Sequence, residues 1–121
     1  MSPRELDEDI LARSRRILGE DDPSTLSSAI SLASDLYLMG DYEAARALDE
    51  DTLVRLRRVL GEDHPNTLTA ASNLAADCYL TGDQAAARAL DEDTLPRMRR
   101  VHGEGHPRTR AIEARLRDEP D

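Results

Sequence analysis

"GEDHPNTL", residues 61–68, decides the fold, because the chain carries it three times. "GEDDPSTL" begins at Gly19 and "GEGHPRTR" at Gly103, each 42 residues from Gly61. The rest of the period keeps the same phase: "LDED" starts at Leu6, Leu48 and Leu90, and "GDYEAAR" at Gly40 returns as "GDQAAAR" at Gly82. "AISLASDLYL" is likewise answered by "ASNLAADCYL". A period of this length without insertion marks stacked supersecondary units, each too small to bury its apolar face alone.

Each period holds two helices, here termed A and B. Pro65 suits the first helical position, and His64 before it is pushed out of helical geometry as a cap residue should be. Asp22 and Pro23 fill these places in the first copy, with a better cap. Helix A then runs from about Pro65 to Thr81, with Leu68, Ala71, Leu74, Ala75 and Cys78 at helical spacing. Gly82 stops it and Asp83 can cap helix B, where Ala87, Leu90, Thr94, Met98 and Val101 recur at three- and four-residue steps until Gly103. Pro96 lies inside this helix where the earlier copy has Val54, which predicts a kink near Glu92–Pro96, though not a break, because the apolar pattern continues.

The expected fold is therefore all-α, a solenoid of antiparallel helix pairs with about six helices in the order B-A-B-A-B-A. Its parts are a half repeat at 3–18, repeats at 23–60 and 65–102, and a C-terminal capping helix at 107–118. Ser2-Pro3-Arg4-Glu5 forms a capping box, so the opening reads as a true beginning that leaves an apolar flank at Leu6, Ile10, Leu11 and Ile17 to be covered. "PRTRAIEARLRD" keeps Leu116 in phase but puts Arg117 and Asp118 where Ala75 and Ala76 stand, as a solvating cap would. The bend of the stack is expected to leave one concave surface lined by the A helices.

Composition narrows the function. The net charge is −9 over 121 residues, with 25 acidic against 16 basic side chains, which disfavours bulk attraction to nucleic acid or an anionic membrane. Every basic residue is arginine, a bias that suits a GC-rich bacterial genome. No apolar run is long enough to span a bilayer, no secretion signal opens the chain, and the single Cys78 suits a reducing compartment, so the cytoplasm is expected. Without Phe or Trp, and with Tyr37, Tyr42 and Tyr79 as the only aromatics, burial has to come from many small Ala and Leu contacts.

Helix-turn-helix repeats with Leu74-Ala75, Gly82-Asp83 and Ala87 resemble tetratricopeptide repeats of the kinesin-light-chain type. "GDYEAARALDEDTLVRLRRVLGEDHPNTL" is similar to the arrays attached to actinobacterial NB-ARC-type signalling ATPases, although this chain has no P-loop. The resemblance implies a non-catalytic scaffold that holds a peptide or protein partner on the inner face of its A helices. By position that face is Ser27, Ile30, Ser31, Ser34, Tyr37 and Leu38 in one repeat and Thr69, Ser72, Asn73, Ala76, Tyr79 and Leu80 in the next. Asn73 matches the asparagine that bonds a bound peptide's backbone in relatives, with Ser31 as its weaker counterpart. Ile30 and Ser72 stand where some members carry a basic clamp for a terminal carboxylate, so that mode is disfavoured. Alternatives are a self-assembly element pairing through the N-terminal helix and a fragment of a larger signalling regulator.

The remaining chemistry reads as surface or core. Asp49-Glu50-Asp51 cannot converge on a metal, because neighbours on a helix point about 100° apart. Pairs such as Asp51 and Arg55 are four apart, as expected of a solvated face. Arg55, Arg57 and Arg58, with their copies at 13, 15, 16 and 97, 99, 100, could form an outer ladder, but no aromatics stand by to stack bases. His102 and His106 lack further zinc ligands. Cys78 suits a small buried apolar role, and Tyr37 and Tyr79 fit groove contact and inter-helix packing equally. No cofactor, metal or catalytic constellation is expected.

Overall fold

The computed structural model describes residues 1–117. They form six helices and no strand: α1 (Pro3–Ile17), α2 (Pro23–Leu38), α3 (Tyr42–Val59), α4 (Pro65–Leu80), α5 (Gln84–His102) and α6 (Pro107–Arg117). The even helices are the A type and the odd ones the B type. Asp118, expected in the cap, lies outside the described residues.

The punctuation works as its chemistry dictates. Ser2 and Glu5 close a capping box, and Asp22 accepts from the Ser24 amide at 2.8 Å. At the equivalent places His64 and His106 use Nδ1 to accept from the amides of Asn66 and Arg108, at 3.0 and 3.1 Å. Asp41 and Asp83 cap α3 and α5. Between α3 and α4 the Gly61 amide bonds back to the Leu56 carbonyl at 3.2 Å with φ +94°, a backbone that glycine adopts without a Cβ penalty. Helix α5 runs unbroken through Pro96, whose ring is exposed.

Each helix packs on its chain neighbours, and the even helices α2, α4 and α6 also touch across the stack while the odd ones do not. The A helices therefore line the inside of the bend. Leu26, Leu53, Leu56, Ala70, Ala71, Leu74, Cys78 and Ala87 form the central core, continued by Leu68, Leu95, Met98 and Ile112 at one end and by Leu11, Ala29 and Leu32 at the other. Full burial of a leucine such as Leu56 stabilises by about 1.5–3 kcal/mol. The flank of α1 is narrower than expected: Leu6, Ile10 and Ile17 are exposed, but Leu11 is buried against α2.

The arginine ridge has a structural use. Arg55 and Arg58 of α3 both reach Asp21 in the α1–α2 loop at 2.9 Å, and Arg97 and Arg100 of α5 reach Asp63 in the α3–α4 loop at 2.8 and 3.3 Å. These guanidiniums hold Asp21 and Asp63 below the ordinary carboxylate range, the Arg55 bond acting most on Asp21 and the Arg97 bond on Asp63. The third copy of the loop has Gly105 in place of the acid.

Candidate functional site

Between α2, α4 and α6 the bend leaves a groove of about 410 Å³. Ser34, Tyr37 and Leu38 come to it from α2, Ser72, Asn73 and Ala76 from α4, and Pro107, Arg108, Ala111 and Arg115 from α6, with Asp49 of α3 and Asp77 of α4 also in its lining. Half of the twelve concave positions named from the sequence thus share one cavity. Ser27, Ile30, Ser31, Thr69, Tyr79 and Leu80 lie outside it. Ile30 and Tyr79 are half-buried against the core, and Tyr79 also lines a small recess with Gln84 and Leu116. Ser27, Ser31 and Leu80 are exposed, and Thr69 is half-buried.

Within the groove Asn73 is half-buried, and Arg108 donates to its Oδ1 at 3.4 Å. Tyr37 packs edge-on against Tyr42 with ring centroids 5.2 Å apart, which braces its ring. Ser72 is buried, and its carbonyl accepts from Arg115 at 3.3 Å.

The acids were misplaced by the sequence reading. Asp49 and Asp91 do not face water; each is 1% exposed, whereas Glu50, Asp51, Glu92 and Asp93 are exposed as expected. The cause is register. Asp49 stands four residues after Ala45 and four before Leu53, so it lies on the buried stripe of α3, beside Thr52 and Leu56. Leu48, the counterpart of Leu90 on the apolar face expected of helix B, is only half-buried.

Asp49 faces Asp77, which is also 1% exposed. Burial, then the Asp77 contact, pushes the Asp49 carboxyl up to about 9. Burial raises Asp77 as well, while the bond from Asp49 and the charge of Arg46 oppose that rise. Burial thus favours the protonated form of Asp49, beside Asp77. Beyond this contact, Asp49 Oδ1 and both Asp77 oxygens have no hydrogen-bond partner among the described residues. The same device recurs one repeat earlier, where Asp35 is raised first by its bond with Asp7.

One repeat later the arrangement changes. Arg115 places Nε and Nη2 on the two oxygens of Asp91, both at 2.9 Å, in a buried bidentate pair. Arg115 occupies on α6 the register that Asn73 holds on α4, and Asp91 that of Asp49, each 42 residues on.

Among the described residues nothing else gathers into a metal or catalytic cluster. His102 and His106 stack with centroids 4.4 Å apart, but no group of three metal-binding side chains occurs among the described residues. Cys78 is buried, and burial raises its thiol, which disfavours the thiolate. No helix among the described residues is long and apolar enough to cross a membrane.

None of the curated proteins matches the chain. The family profile described as Tetratricopeptide repeat matches residues 28–100, from within α2 to the last turn of α5. Repeats of this kind generally mediate protein–protein interaction. With that match laid over an all-α stack of consecutive antiparallel helices, the chain belongs to the tetratricopeptide repeat family.

Proposed function

We propose that the protein is a non-catalytic interaction module whose groove between α2, α4 and α6 holds an extended segment of a partner protein. The observation that carries this reading is the groove itself: about 410 Å³ with braced walls, open to a chain segment and lined by three successive A helices. In it Asn73 supplies an amide to a ligand's backbone, and Tyr37 and Leu38 supply apolar contact. The kinesin-light-chain-like character, a bacterial origin and a cytoplasmic setting belong to this proposal, as do the repeat boundaries at 23–60 and 65–102. In a pull-down from the host's lysate, Asn73→Ala with Tyr37→Ala is expected to lose the captured partner while circular dichroism keeps its helical signal. Equal capture by the double variant would overturn the reading.

A second reading, assembly through α1, is favoured by the contrast between Ile10, 40% exposed, and its repeat equivalent Thr52, 1% exposed. Among the described residues, helix α3 is covered on both sides, by α2 and α4, and α1 by α2 alone. Light scattering across a range of concentrations tests self-pairing: a mass that rises and then falls back in Ile10→Asp supports it, and one constant monomer mass rules it out.

A further inference from the structure

We propose that the floor of the groove is a socket for a guanidinium, into which the partner segment inserts an arginine between Asp49 and Asp77. This rests on the groove reading and names the chemistry that the groove selects.

Three observations carry it. First, Asp49 and Asp77 are each 1% exposed, yet both line the groove, and three of their four oxygens have no hydrogen-bond partner among the described residues. Buried carboxyl oxygens are ordinarily satisfied, so a floor of carboxyl oxygens with no partner outside the pair is built for a donor from outside.

Second, the repeat supplies its own template. Where the register that faces the helix-B aspartate carries an arginine, the acid is gripped: Arg115 holds Asp91 with two bonds of 2.9 Å. At Asn73 the side chain is too short and bears no charge, and the groove opens there instead. A ligand guanidinium at the Asp49 floor would reproduce the contact that Arg115 makes one repeat on. Its fork matches a carboxylate bidentately, which an ammonium cannot do.

Third, among the described residues the three arginines nearest the floor do not take the place. Arg46, the nearest positive influence on Asp77, is already bonded to Glu50, Asp83 and Thr81. Arg115 is tied to Asp91, and Arg108 sits exposed at the mouth beside Asn73, where water screens it. On entry of the guanidinium, the proton that burial keeps on Asp49 leaves to solvent. Both carboxylates then face one cation.

The test is an NMR titration of the full chain with N-acetyl-arginine amide, against N-acetyl-citrulline amide as the neutral isostere. Saturable shifts at Asn73, Asp77 and Tyr37 are expected with arginine, with citrulline at least tenfold weaker. Asp77→Asn is expected to abolish the response with helicity unchanged. Asn73→Arg should both raise Tm and abolish it, by building in the arginine that α6 already carries. Equal response to citrulline, shifts confined to other surfaces, no response, or full binding by Asp77→Asn would each overturn the socket. Capture in the groove of a partner segment without arginine would leave the interaction reading standing and sink this one.

Discussion

Asp49 is where a single side chain changes the behaviour of the protein with pH. Its ordinary carboxyl value of 3.8 is pushed up to about 9, so the folded state holds a proton that the unfolded chain releases. The stability it contributes is complete below about pH 4 and is lost as pH rises towards about 9. Asp21, Asp63 and Asp83 are lowered, so their contribution is present above the ordinary carboxylate range and disappears only in acid, in a separate window. Asp49→Asn keeps a donor to Asp77 and removes the titration. Denaturant melts of this variant should show a shallower fall in stability from about pH 5 to 9 than the parent's, the remainder coming from Asp77 and Asp35, which are also raised, and a gain over the parent of about 1–3 kcal/mol at pH 9, the scale of one buried unsatisfied group. A slope like the parent's would show that another group titrates. This residue was also the least legible. A run of Asp-Glu-Asp before three arginines has the composition of a wet face, and only its four-residue spacing from Ala45 and Leu53 places the first acid inside.

Helices, by contrast, could be read from their ends inward. Proline at the first helical position, a cap residue before it and glycine after the last turn are local chemistry, and each places a boundary without knowledge of the neighbours. What the elements touch is not local. The same Arg-x-x-Arg spacing on α3 and α5 looked like an outer ladder until the loop acids Asp21 and Asp63 came into reach through the packing. At this scale Pro96 is the weak point: α5 accepts it without breaking, yet an interior proline costs about 3 kcal/mol relative to a good helix former. Pro96→Val, which restores the residue of the equivalent site in α3, should therefore raise Tm. A stabilisation of about 1–3 kcal/mol is expected, since part of the cost is already relieved by placing the ring on the water side. No change in Tm would mean that the helix had already absorbed the whole cost.

At the scale of the whole molecule, the architecture was legible because period and phase are properties of the entire chain. The groove was only half legible. Its α2 and α4 walls follow from the register of helix A, but Arg108, Ala111 and Arg115 enter from α6, which the repeat pattern marks as a cap rather than a wall. Because the central core draws residues from four helices, α2 to α5, its loss should be felt everywhere at once. Leu56→Ala, at a fully buried site, is expected to cost about 2–5 kcal/mol and to shift the melts of Tyr37 on α2 and Tyr79 on α4 together. Separate transitions would show that the repeats melt one by one. The one-sided contact among helices has a mechanical consequence as well. With α2, α4 and α6 touching and α1, α3 and α5 apart, the stack is hinged along its inner edge like the spine of a fan. Tension between its two ends would spread the outer blades first and draw the latched loops tight. The groove lies on that inner edge, so bending of the stack would displace the outer helices more than the groove walls.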